Sequence, residues 1–99
     1  MTNIIPFDAA EYLDTFEDEV ALLDDAVASG DSRFIAGALG AVARKRLGIK
    51  SLAEATGHSR QALHKALSTK GNPTLATLLS VLDELGLQMH IERKVLEDA

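Results

Sequence analysis

The sequence predicts an all-α fold: a central helix-turn-helix, an acidic helical extension before it and one short β-strand after it. Three observations carry this. Apolar residues recur at helical spacing through most of the chain, capping residues and glycines bracket those stretches, and strict period-two alternation occurs only over 87–92.

Pro6 and Asp8 open a short helical turn to Leu13, with Asp8 as cap and Glu11 three residues on. Thr15 and Asp18 form a second capping signature, launching a helix to Ser29 whose apolar stripe is Phe16, Val20, Leu23 and Val27. Gly30 ends that helix and Asp31 caps the next, with Phe34, Ile35, Ala38, Leu39, Val42 and Ala43 facing inward up to Gly48. Gly37 and Gly40 lie inside it, where each costs up to ~1 kcal/mol relative to Ala, so close packing against another segment is the expected compensation.

Residues 51–67 read as two short helices joined by a tight turn. Ser51 and Glu54 match a capping box for the first. Ala53 is small enough for close approach, Gly57 can take the positive φ that ends a helix, and Ser59 can cap the second helix. Leu63 and Leu67, four apart, face the core and leave Arg60, Gln61, His64 and Lys65 on other surfaces. That is the layout of a recognition helix for the DNA major groove. After the turn at 69–73, Thr74 caps a last helix from Leu75 to Leu85 with a stripe of Leu75, Leu78, Leu79, Leu82 and Leu85, stopped by Gly86. In the strand at 87–92, Leu87, Met89 and Ile91 share one face. A lone strand needs a partner, so these three are expected at an interface with a second copy or another protein. Residues 1–30 form the extension, 31–92 the helix-turn-helix domain with its strand, and 93–99 a tail.

The formal net charge of −5 conceals two opposite halves. Residues 1–31 hold nine acids and neither Lys nor Arg, whereas residues 32–82 hold eight bases against the single acid Glu54. Such segregation favours two partners of opposite sign over two merely solvated faces. There is no Cys, hence no disulfide, thiolate zinc site or cysteine nucleophile. No apolar run approaches the ~18 residues of a membrane helix and no signal peptide opens the chain, so a soluble cytoplasmic protein is expected. His58, His64 and His90 have no carboxylate at metal-ligand spacing, and no residue set reads as an active site. The expectation is a non-enzyme with no cofactor, metal or small-molecule substrate.

Several segments resemble the addiction-module antidote family, which is similar to HigA-type antitoxins with a lambda-repressor-like helix-turn-helix. They are Phe-Asp-Ala-Ala-Glu-Tyr-Leu at 7–13, Ala-Leu-Gly at 38–40, Thr-Gly-His-Ser-Arg at 56–60, Lys-Ala-Leu-Ser at 65–68 and Gly-Asn-Pro at 71–73. The resemblance implies a five-helix lambda-repressor-like core, a homodimer on operator DNA, and a small basic toxin partner of the RelE/ParE or HigB type. His58 departs from the apolar residue usual in the turn, and Ser51 from a common phosphate-contacting glutamine.

On that reading Arg60, Gln61, His64 and Lys65 face the bases, while Ser59, Thr69 and Lys70 serve phosphate or capping. The basic run Arg44, Lys45 and Arg46 suits either phosphate contact or the helix macrodipole. For the toxin, Phe7, Tyr12, Leu13 and Phe16 would be apolar anchors and Asp14, Asp18 and Asp25 would steer. The expected function is an antitoxin that neutralises its toxin and represses its own operon. The alternative is a prophage-type repressor without a toxin, which leaves the acidic segment without a role. A protein-binding adaptor that has lost DNA binding is a third reading, disfavoured by Arg60 and Lys65.

Overall fold

In the computed structural model, which describes residues 15–95, five α-helices follow one another: α1 (Phe16–Ser29), α2 (Ser32–Arg46), α3 (Ile49–Thr56), α4 (Arg60–Ala66) and α5 (Leu75–Glu84). The helical turn read at 8–13 lies outside the described residues. Local chemistry sets most of the boundaries. The Thr15 hydroxyl accepts from the Asp18 N–H at 3.1 Å, and the Asp18 carboxylate accepts from the Thr15 N–H at 3.2 Å, closing the reciprocal box at the start of α1. Asp31 accepts from the Arg33 N–H at 2.9 Å, Ser59 from the Ala62 N–H at 3.0 Å and Thr74 from the Thr77 N–H at 3.1 Å. These bonds satisfy donors that helix N-termini leave unpaired.

One predicted cap is wrong. α3 begins two residues before the Ser51–Glu54 box, with Gly48 at φ 82° as its N-cap and no side-chain cap bond. The Leu47 and Gly48 N–H groups both donate to the Ala43 carbonyl at 2.9 Å, closing α2 early enough for Gly48 to turn the chain. Ser51 therefore sits inside the first turn of α3.

α2 is the central helix, with every residue from 36 to 43 buried. Its small residues explain how. A Cβ at Gly40 would collide with the Leu67 carbonyl oxygen, so the glycine lets the end of α4 approach the α2 backbone. Around it Leu39, Val42, Leu52, Leu63, Leu67 and Val81 form the fully buried core.

The flanking helices lie rotated from their expected faces. On α1 three members of the predicted stripe, Phe16, Val20 and Val27, are exposed, and the fourth, Leu23, is half-buried. The buried residues are Glu19 and Ala26, with Leu22 and Leu23 half-buried against the core. On α5, Leu75 and Leu79 are exposed, and Val81 and Leu85 carry the burial with help from Leu78 and Leu82. The period of each stripe was correct and the covered side only partly so: Leu23 of the α1 stripe and Leu78, Leu82 and Leu85 of the α5 stripe pack on the core, and their other members do not. Glu19 is accommodated because Arg46 of α2 pairs with it.

The predicted C-terminal strand is absent among the described residues. From 87 to 95 the chain has no regular structure, and Met89 and Ile91 are exposed. Leu87 alone packs against the core, its N–H donating to the Leu82 carbonyl at 2.9 Å as part of the α5 terminus. Alternating side chains do not make a strand where no second strand offers backbone partners. No helix among the described residues is long and apolar enough to cross a membrane.

Candidate nucleic-acid interface

α3 and α4 are joined by three residues. Gly57, left-handed at φ 80°, ends α3 with its N–H on the Ala53 carbonyl at 2.9 Å, and Ser59 opens α4. Ala53, only 6% exposed, lets the two helices come together, and Leu63 and Leu67 fix the inward face of α4 in the core. With those leucines buried, Arg60, Gln61, His64 and Lys65 are all exposed.

These four side chains line one shallow concavity together with Ile49 and Lys50 from the start of α3. The four residues expected to face bases are thus brought to one surface. Lys50 joins them through the shift in the start of α3. With the helix placed at Ser51, Lys50 reads as a loop residue; starting at Ile49, the helix carries it in its first turn. Among the described residues, no carboxylate lines this concavity. Its chemistry is three cations, one imidazole and one amide, which suits hydrogen bonding to a polyanion and to base edges.

The other expected contacts divide. The Ser59 oxygen is engaged as the α4 cap. Thr69 is half-buried, its methyl against Gly37 of α2, which makes it chiefly a packing residue. Lys70 is exposed, in a turn where its N–H donates to the Ser68 hydroxyl at 3.3 Å. Within the basic run, Arg46 points to Glu19 and to the Leu85 carbonyl, whereas Arg44 and Lys45 are exposed.

The acidic half presents a second surface. Phe7, Tyr12, Leu13 and Asp14 lie outside the described residues. Phe16 and Asp25 are exposed on α1, and Asp18 is exposed but committed to the Thr15 cap. Glu17 and Asp24 are exposed on the same helix. Among the described residues, no group of three or more His, Asp or Glu is placed to hold a metal ion.

Comparison with known proteins adds two findings. The family model described as "Probable addiction module antidote protein" matches residues 3–93. An uncharacterised protein of Haemophilus influenzae (strain Rd) is 41% identical over 88 residues, covering 88% of this chain and 89% of that protein. No solved structure matches the chain.

Proposed function

Because this chain belongs to the probable addiction module antidote family, we propose that it is an antitoxin of HigA type that neutralises a cognate toxin and represses its own operon. An antidote implies a toxin, and the chain offers two surfaces of opposite sign for two tasks. The observation that carries the DNA half is the gathering of Lys50, Arg60, Gln61, His64 and Lys65 on one surface of α3 and α4.

α4 acts as the recognition helix of a lambda-repressor-like helix-turn-helix. At seven residues it is about 10 Å long, which fits a major groove about 12 Å wide. Arg60 and Gln61 lie in its first turn, the end that reaches base edges in such motifs. Arg60 reads a guanine through its two acceptors, Gln61 an adenine, and His64, Lys65 and Lys50 add base or phosphate contacts. Two copies bind half-sites one helical turn apart on a pseudo-palindromic operator.

The toxin is a small basic protein of the RelE/ParE type, engaged in the cytoplasm by the acidic half without any catalysis by the antitoxin. A surface built to hold RNA is basic, and a segment of nine acids steers towards it and competes for it. A repressor without a toxin would leave both the family membership and the acidic half unaccounted for.

The test has two arms. The purified chain should shift DNA from upstream of its own gene at lower concentration than unrelated DNA, and salt should weaken the shift steeply. It should also form a stable complex with the product of the neighbouring reading frame and relieve that product's toxicity. A chain that shifts its upstream DNA but binds no neighbouring product would be a plain repressor.

A further inference from the structure

α1 presents an apolar face that the fold covers only in part, with Arg46 lying 5.6 Å from the centre of the Phe16 ring and Leu23 packing against the core. Phe16 is 51% exposed, Val20 42% and Val27 51%, with half-buried Leu23 between them. These residues stand at i, i+4, i+7 and i+11. At about 100° per residue they fall within an arc of about 60°, and the stripe runs about 16 Å along the helix. The contact of α1 with the core is made mainly on the adjoining side, through Glu19, Leu22 and Ala26, with Leu23 at the edge between the two faces. Single exposed apolar residues are ordinary; a stripe in helical register is a surface shaped for a partner.

The charge around the stripe limits what can cover it. Glu17 and Asp24 border it, about 80° from its midline, while Asp18 and Asp25 fall on nearly the opposite side of the helix. Residues 1–31 contain neither Lys nor Arg, and Arg46, which lies over the Phe16 ring, is paired with Glu19. Nucleic acid and anionic lipid are repelled by such a face, and pairing with the same face of a second copy would set acids against acids. A cationic protein surface with an apolar groove satisfies both the stripe and its border.

We propose that the outer face of α1, with the exposed Phe16, Val20 and Val27 as anchors and Glu17 and Asp24 as steering charges, is where the basic toxin docks. This rests on the antitoxin reading above and names its toxin-binding surface. It also reassigns the steering role. The sequence alone selects Asp14, Asp18 and Asp25; of the two on α1, neither borders the stripe, whereas the helix geometry sets Glu17 and Asp24 beside the anchors.

The experiment titrates the purified full-length chain with the purified product of the neighbouring reading frame. Val20→Asn with Val27→Asn removes the apolar centre of the stripe without altering charge, at little cost in helix propensity. Binding should weaken at least tenfold, while the thermal midpoint and the shift of upstream DNA stay as in the wild type. Glu17→Lys with Asp24→Lys should slow association several-fold at low salt, and Asp25→Lys should slow it less. Binding of the double-Asn variant within twofold of wild type would overturn the inference and leave the antitoxin reading standing. So would a wild-type chain that self-associates through this face and is made monomeric by the same substitutions. If the neighbouring product binds no form of the chain, the antitoxin reading itself falls.

Discussion

Glu19 and Arg46 meet across the α1–α2 interface, Oε1 to Nε at 3.2 Å, with only 6% of the glutamate side chain exposed. The contact is an ion pair without an aligned hydrogen bond to that oxygen. The same guanidinium donates to the Leu85 carbonyl at the end of α5 and lies 5.6 Å from the centre of the Phe16 ring. One side chain therefore ties three helices together. Removing one partner of a buried pair strands the other charge, whereas replacing both with apolar groups can be neutral. Arg46→Ala should cost about 3 kcal/mol, the low end for such pairs because the guanidinium is partly solvated. Glu19→Leu with Arg46→Met should recover much of that loss. Urea midpoints of the three chains check it.

The two glycines inside α2 should respond differently to alanine. At Gly40 the new Cβ would meet the Leu67 carbonyl, which is backbone and cannot turn aside, so Gly40→Ala should cost about 1–3 kcal/mol. At Gly37 the nearest atom is the Thr69 methyl carbon at 2.8 Å, on a side chain that can rotate. The gain in helix propensity of up to ~1 kcal/mol then offsets much of the clash. Gly37→Ala should stay close to wild type in thermal midpoint, and a larger loss there than at Gly40 would contradict this packing.

Asp31 gives a pH-dependent contribution of known sign. Its carboxylate accepts from the Arg33 N–H at the start of α2, and chiefly that bond holds its pKa below the ordinary 3.8. A folded-state pKa below the unfolded one adds stability at pH values above the unfolded value, and this is lost as pH falls through the folded value. Asp31→Ala should therefore lower the thermal midpoint at neutral pH, with the gap to wild type closing in acid. A gap that persists at the acid end would point to a steric rather than an ionic cause.

Helix ends were legible because a cap is local chemistry. Thr15 with Asp18, and then Asp31, Ser59 and Thr74, announce their own hydrogen bonds within three residues. The faces of α1 and α5 were legible only in part, because a stripe gives a period and tertiary packing decides which side is covered. Nothing local says that Glu19 will be buried, since its partner Arg46 is distant in sequence. The start of α3 was missed because Ser51 and Glu54 mimic a box, while Gly48 turns the chain with backbone geometry alone. Within the candidate interface the α4 residues followed from Leu63 and Leu67. Lys50 depended on the boundary that the mimic obscured.

The interface predicts a separation between readout and attraction. Arg60 stands in the first turn of α4, exposed, and among the described residues no carboxylate lines the concavity beside it. If it reads a base bidentately, Arg60→Ala should cost roughly 1–3 kcal/mol on the operator and relax preference at one position. On random DNA, where that pair is not made, the loss should be smaller. Lys70 lies beyond α4 on an exposed turn and would meet only phosphate, so Lys70→Ala should weaken all sequences alike and lower the salt slope by about 1. Lys50 shares the concavity with Arg60 but comes from the neighbouring helix. If it also meets phosphate, Lys50→Ala should behave as Lys70→Ala does. Selection of preferred sequences from a random pool, repeated for each variant, separates these outcomes. An unchanged preference with Arg60→Ala, together with equal losses on operator and random DNA, would make the α4 surface a general polyanion contact and remove its claim to read sequence.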